Sequence, residues 1–355
     1  MKIIFILGTR PEIIKLSPVI RECERLGLNY SVLHTGQHYS WNMDKVFFEN
    51  LELSAPKFKL NVGSGSHGEQ TGKILMTVEK VLKKEKPDIV LVQGDTNSTL
   101  AGALAATKLH IKVGHVEAGL RSFYKYMPEE INRVLADHCS DYLFPPTIQS
   151  KKNLCREGIS EKKIFLVGNT VVDAVYQNIK IAHKTSVLND LGLSPKKYFL
   201  VTIHRQENVE NKSRFRSIFN GLEKIGELGF EVVYPIHPRS RKQMKLFNLQ
   251  SEKVRIIDPV DFFSFLQLES NAIVILTDSG GVQEEACILK VPCVTLRDNT
   301  ERPETIQVGS NILAGTDSGK IFDCTKEMAA KKKEWKSPFG DGNASKRVIK
   351  EITKN

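Results

Sequence analysis

Ile3-Ile-Phe-Ile-Leu-Gly-Thr-Arg-Pro-Glu-Ile-Ile-Lys15 is a buried strand, a tight turn and the start of a helix, written in that order. The apolar run stops at Gly8, Gly8 and Thr9 make the turn, and Pro11 suits a first helical turn, where a missing N–H costs nothing. The same succession of apolar run, turn and helix-period segment recurs along the chain. In the first half the runs are 3–7, 30–34, 89–92, 113–116, 142–144 and 165–167. In the second half they are 199–203, 231–234, 254–257, 272–276 and 293–296. Strands alternating with helices imply parallel sheets made of strand–helix–strand units. Two such sets predict an α/β protein of two doubly wound, Rossmann-like domains. The boundary is expected between Gly168 and Lys197, where Leu191-Gly-Leu-Ser-Pro195 marks a loop, giving domains 1–170 and 171–335. The polar tail 336–355 is too poor in apolar residues for a core of its own and is expected to pack as a helix on an existing domain.

A chain of 355 residues is long for one core and comfortable for two. Its hydrophobic fraction of 41% and charged fraction of 26% are those of a soluble globular protein, expected in the cytoplasm. The opening apolar run is too short for a signal peptide or a membrane span, so no membrane partner is expected. Six scattered cysteines with no Cys-x-x-Cys read as reduced thiols, not a disulfide frame or zinc site. Much of the net charge of +10 lies in helix-like mixtures such as Lys80-Val-Leu-Lys-Lys-Glu-Lys86, which are solvated faces. No nucleic-acid signature accompanies it, and an anionic small substrate accounts for a positive site equally well.

In doubly wound sheets ligands bind beyond the carboxyl ends of the strands. After the first strand Arg10 stands at a helix mouth, where the macrodipole also favours an anion; the G-x-G-x-x-G dinucleotide spacing is absent. After the third comes Gln93-Gly-Asp-Thr-Asn-Ser98, whose Asp95 is either the cap of the next helix or a catalytic carboxylate. The next strand runs into His115-Val-Glu-Ala-Gly-Leu-Arg121, followed by Pro128-Glu-Glu-Ile-Asn-Arg133. Carboxylates (Glu117, Glu129, Glu130) interleaved with arginines (Arg121, Arg133) suit proton transfer beside an anion, the carboxylates moving the proton and the arginines holding negative charge; solvated helix surfaces carry such mixtures too. Adjacent strand ends would bring Asp95 near Glu117, and paired carboxylates raise one pKa towards neutrality.

In the second half, Thr202-Ile-His-Arg205 and Pro235-Ile-His-Pro238 put His204, Arg205 and His237 at successive strand ends. Thr277-Asp-Ser-Gly-Gly-Val-Gln-Glu-Glu-Ala286 opens a helix after a buried strand. The bare backbone of Ser279, Gly280 and Gly281 can approach a diphosphate, and Glu285 lies one turn on, within reach of ribose hydroxyls. Of the aromatics in Asp261-Phe-Phe-Ser-Phe-Leu266, Phe265 is either core or the one offered to a nucleobase, while Phe262 and Phe263 read as core. Arg302 belongs to the polar segment Arg297-Asp-Asn-Thr-Glu-Arg-Pro-Glu304, and Lys15 to the first helix. Metal is disfavoured: there is no H-x-x-x-H or D-x-D cluster, and the acidic residues come with arginines.

Taken together, Gly8-Thr-Arg-Pro-Glu12, Gln93-Gly-Asp-Thr96, the His115–Arg121 and Pro128–Arg133 segments, His204-Arg205, and Asp278-Ser-Gly-Gly281 with Gln283-Glu-Glu285 resemble the non-hydrolysing UDP-N-acetylglucosamine 2-epimerases. The motifs run in family order from the first strand past Pro303. The resemblance implies a fold like the GT-B glycosyltransferases, a cleft between the domains, UDP bound mainly by the second, and the final helix returning to the first. It implies interconversion of UDP-GlcNAc and UDP-ManNAc for glycan synthesis, through 2-acetamidoglucal, without NAD or metal. Asp95, Glu117, Glu130 and His204 match the family's catalytic positions; Arg10, His237, Ser279, Gly280, Gly281 and Glu285 match UDP contacts, with Phe265 near the uracil. Lys15, Arg133, Arg205 and Arg302 complete the expected substrate contacts. The family is usually dimeric, and many bacterial members are activated by a second UDP-GlcNAc; Gln37 matches one glutamine of that site, but Ser40 stands where another is expected. His204-Arg205-Gln206-Glu207 also departs from the His-Arg-Arg-Glu common in bacteria. The rival readings are an epimerase of a related UDP-sugar such as a diacetamido-uronate, a hydrolysing epimerase, a GT-B glycosyltransferase, and a non-enzymatic nucleotide-sugar sensor.

Overall fold

The computed structural model describes residues 1–37 and 41–354, apart from the side chains of 41–44 and 46. They form two compact units, one of residues 1–174 and 339–355, the other of 175–338. The first unit holds a parallel sheet of β1 (Lys2–Leu7), β2 (Asn29–His34), β3 (Phe58–Lys59), β4 (Ile89–Gln93), β5 (Lys112–Val116) and β6 (Tyr142–Phe144). The second holds β7 (Tyr198–Thr202), β8 (Glu231–Pro235), β9 (Val254–Ile257), β10 (Ile275–Thr277), β11 (Cys293–Thr295) and β12 (Asn311–Leu313). The strand orders are β3-β2-β1-β4-β5-β6 and β12-β11-β10-β7-β8-β9, the same Rossmann winding twice. In each, the order reverses between the first and fourth strands, β1 and β4 or β7 and β10. That reversal opens a crevice at their carboxyl ends, where the ligand-binding loops converge.

Near-continuous apolar strands follow from burial on both faces. Residues 3–7 of β1 are wholly enclosed, as are Phe199, Leu200 and Val201 of β7. Three strand expectations need correction. The run 165–167 is not a strand: pairing beyond β6 is a single bridge, Leu143 to Ile164, because Pro145 and Pro146 have no N–H to continue a ladder. Conversely β3 and β12 went unread, being edge strands of two and three residues, mostly half-exposed and without an apolar run. The tail forms the helix Ala344–Thr353, which packs on Arg10–Arg25 in the first unit. It is anchored by buried Asp173, whose carboxylate receives the N–H groups of Ala344 and Ser345 and the Ser345 hydroxyl.

Candidate functional site

At the β1/β4 reversal the chain leaves β1 through Gly8, where a Cβ would collide with the Thr35 and Ser98 hydroxyls. The helix Arg10–Arg25 starts at once after Thr9, with no side chain capping it and Arg10 at its mouth, 5.8 Å over the Phe47 ring. Buried Glu12 ties the two switch-point loops together. It accepts from the Gly8 N–H, the Thr9 hydroxyl, and the hydroxyls of Thr96 and Thr99 beyond β4. Burial pushes its pKa up, and those hydrogen bonds oppose the shift. Asp95 is not the cap of the next helix: Thr96 takes that position, receiving the Thr99 N–H on its hydroxyl.

Arg133 joins two of the expected carboxylates. Its Nη2 donates to Asp95 and its Nη1 lies 3.3 Å from Glu130. Glu130 also receives the backbone N–H groups of Ser122 and Phe123 at 2.9 Å each, so its orientation is set by the loop before its helix Pro128–Cys139. Glu117, 6% exposed, follows β5 with φ at +69°, a conformation unusual for a residue with a side chain. Lys15 donates to both its oxygens at 2.7 Å, and Gln93, the last residue of β4, donates to one. Lys15, expected on the substrate, is thus an ion-pair partner of Glu117. Gln93 was missed, though its place at the end of a central strand is a usable signal.

The turn that carries Glu117 rests on a buried brace. His115 is fully enclosed, with Nδ1 2.7 Å from Asp137 and Nε2 2.8 Å from the Gly94 carbonyl. Asp137 also receives the Gly119 N–H and the Arg121 guanidinium, which continues bidentately to Glu157. Burial works against the Asp137 charge, but His115 and then Arg121 outweigh it and hold its pKa below the usual value. The side chain of Arg121 is 1% exposed, so this arginine braces the turn. Gln37 is buried, its side-chain Oε1 accepting from the Ser98 N–H and hydroxyl. Ser40 lies outside the described residues.

At the β7/β10 reversal, buried Asp278 receives the N–H groups of His204 and Arg205 and the amide of Asn208. It pins the loop after β7 to the end of β10, beside a hydroxyl pair between Thr202 and Thr277. The helix Gly280–Ile288 then begins with no side chain capping it. A Cβ on Gly280 or Gly281 would meet nothing nearer than 3.6 Å, so an approaching anion finds bare backbone. His204 and His237 have ring centroids 6.0 Å apart. His237 caps the helix Pro238–Leu246 by accepting the Arg239 N–H on Nδ1, which leaves a neutral ring its proton on the exposed Nε2. Burial lowers the pKa of both; Asp278 opposes this at His204, and Arg239 adds to it at His237. Arg205 has a buried Nε with no hydrogen-bond partner among the described residues, a donor direction unspent. Arg302 is bonded to Glu284 at 2.7 Å, and Arg297 clamps Glu301. Burial opposes the Glu301 charge, yet Arg297 holds it down to about 2. Phe265 is half-buried against the cluster containing Leu193 and Leu268, Phe263 is buried, and Phe262 lies edge-on to it. Among the described residues no three His, Cys, Asp or Glu side chains are grouped to hold a metal, and no helix is long and apolar enough to cross a membrane.

The family model described as UDP-N-acetylglucosamine 2-epimerase matches residues 21–353. The UDP-N-acetylglucosamine 2-epimerase of Methanocaldococcus jannaschii is 58% identical, with 99% of each chain covered. Its crystal structure in complex with UDP-GlcNAc and UDP superposes with a TM-score of 0.88, covering 99% of both chains. The UDP-2,3-diacetamido-2,3-dideoxy-D-glucuronate 2-epimerase of Pseudomonas aeruginosa is 42% identical over the whole of both chains.

Proposed function

The chain belongs to the UDP-N-acetylglucosamine 2-epimerase family, and from that premise we propose that it interconverts UDP-N-acetylglucosamine and UDP-N-acetylmannosamine by the non-hydrolysing route. The observation that carries this reading is the set of three carboxylates that follow β4 and β5 beyond the carboxyl ends of one sheet. Asp95 and Glu130 are joined by Arg133, and Glu117 is paired with Lys15.

The sugar's C2 has no carbonyl beside it, so its proton is not acidic while UDP stays attached. As the C1–O bond breaks, its electron pair leaves with UDP and positive charge grows at C1. The C2 proton then becomes labile: a carboxylate takes it, and the C–H pair becomes the C1=C2 bond of 2-acetamidoglucal. Proton delivery to the opposite face of C2, with re-addition of a UDP oxygen at C1, gives the epimer. Asp95, Glu117 and Glu130 are the proton carriers in this scheme, with His204. The bare helix start at Ser279, Gly280 and Gly281, with Arg205 and His237, holds the diphosphate as it leaves. Glu285 takes the ribose and Phe265 lies by the uracil. Removing the Ser279 hydroxyl by Ser279→Ala is expected to weaken UDP binding roughly 2–10-fold, one hydrogen bond's worth, in titration calorimetry.

Proton NMR of UDP-GlcNAc with the protein in D2O, without cofactor, tests the proposal. Deuterium at C2 together with a UDP-ManNAc anomeric signal is expected. Free ManNAc with UDP would replace the non-hydrolysing route by the hydrolysing one. An inert UDP-GlcNAc would favour a decorated UDP-uronate, which the 42% identical Pseudomonas relative makes the second reading. A pH series separates out His204. Burial lowers its pKa, so turnover that needs the neutral ring persists as pH falls through about 6.5, the ordinary histidine value, and declines only below it. A His204-dependent break above that value would contradict a neutral role.

A further inference from the structure

Glu269 is a buried acid to which the reaction above gives no task. It lies in the last turn of the helix Phe262–Asn271, is 0% exposed, and receives no N–H or O–H donor on either oxygen among the described residues. Its side chain meets another carboxyl, that of Glu285 in the helix Gly280–Ile288, at hydrogen-bond range. Two carboxyl oxygens at that range need a proton between them, so one of the pair is a neutral acid.

The surroundings decide which one. Cys293 of β11 and Tyr198 of β7 are the titratable groups near Glu269 from the sheet, and neither brings positive charge. The Tyr198 hydroxyl is spent on the Leu268 carbonyl. Lys196 sits at the helix end on the carbonyls of Ser270 and Ala272. Asp190, in the neighbouring helix Val187–Asp190, is exposed and takes the Ser186 hydroxyl, and Glu284 turns to Arg302. The negative end of its own helix further disfavours charge on Glu269. Burial, then the charge of Glu285, hold the Glu269 carboxyl well above its usual range, so of the two it is the one that carries the shared proton. Glu285, only half-buried, is the acceptor.

We propose that Glu269 is a positioning residue for nucleoside recognition: as a neutral acid it donates to Glu285 and fixes the rotamer in which that carboxylate accepts a vicinal diol such as a ribose. The inference rests on the nucleotide reading of Glu285 given above. Glu269→Gln keeps an uncharged donor; Glu269→Leu removes it at similar volume.

The test is calorimetric binding of UDP, 2′-deoxy-UDP and 3′-deoxy-UDP to the full-length wild type and both variants, with thermal melts to confirm folding. Wild type and Glu269→Gln are expected to prefer UDP. Glu269→Leu is expected to lose roughly 5–10-fold in UDP affinity and approach its affinity for the deoxy compounds, with kcat changed less than KM. Equal discrimination in wild type and Glu269→Leu would overturn the inference. No discrimination in wild type would instead remove the ribose reading of Glu285 itself. Should Glu269→Leu fail to fold, a pH series on the other two decides. As pH rises and Glu269 ionises, two like charges face each other, so wild-type UDP affinity and stability fall while Glu269→Gln stays flat. Parallel profiles would overturn the inference.

Discussion

Glu117→Gln is expected to bind UDP as the parent does and to lose about 10²–10⁴-fold in kcat, the usual worth of a positioned acid–base group. The amide keeps the shape of the side chain and one acceptor oxygen for Lys15 or Gln93, but it cannot receive a proton from C2. Glutamine is no bulkier or more branched than glutamate, so the substitution is expected to leave the turn at φ +69° in place. Glu130→Gln should lose turnover likewise, but Ser122 and Phe123 bond to different carboxylate oxygens and the amide keeps only one, so some loss of stability is expected with it. The discriminating measurement pairs UDP affinity by calorimetry with loss of the C2 proton in D2O. Binding lost in parallel with exchange would contradict a division in which Glu117 and Glu130 move protons while the helix start at Ser279, Gly280 and Gly281 holds the nucleotide.

The largest loss of stability is expected at Asp137. Asp137→Ala strips a partner from three groups at once: His115, the Gly119 N–H and the buried Arg121 guanidinium. Removing one member of a buried ion-paired network costs about 3–5 kcal/mol, because the remaining charge stays enclosed. Asp137→Asn keeps an acceptor for Gly119 and should cost less. Urea denaturation reads the difference as a shift in midpoint. A loss below about 1 kcal/mol for the alanine variant would mean that Glu157 alone satisfies Arg121. The pH dependence has a definite sign. The folded-state pKa of Asp137 lies below its ordinary value, so its stabilisation is present above that value and lost as pH falls through the folded-state pKa. The asparagine variant should lack that acid-side loss. Since His115 and Gly119 flank Glu117, the alanine variant should also turn over more slowly with UDP binding intact.

Two Rossmann windings could be read from the chain because a strand covered on both faces must be apolar throughout, and such runs stand out without any knowledge of partners. β3 and β12 escaped for the opposite reason: at a sheet edge, Phe58-Lys59 and Asn311-Ile-Leu313 have no need of a continuous apolar run. The run 165–167 misled because hydrophobicity says nothing about whether a neighbouring strand has N–H groups to share, and Pro145 and Pro146 do not. Candidate site residues were visible by position, since a polar residue placed directly after an apolar run sits at a strand end, where doubly wound sheets bind ligands.

What the sequence by itself determined is therefore the alternation of strand and helix, and with it the places where chemistry is possible. Its motifs also carried the family. Only the tertiary structure decided how those polar residues are partnered. It placed Arg121 in a buried brace and Arg133 between Asp95 and Glu130, though both arginines look alike in the motif. It put Lys15 on Glu117 across 102 positions of chain, and Glu269 against Glu285 on the next helix. The physical reason is one of range. Apolar periodicity is local and survives in the order of residues, whereas a charge takes its role from whichever group the fold brings within about 3 Å of it.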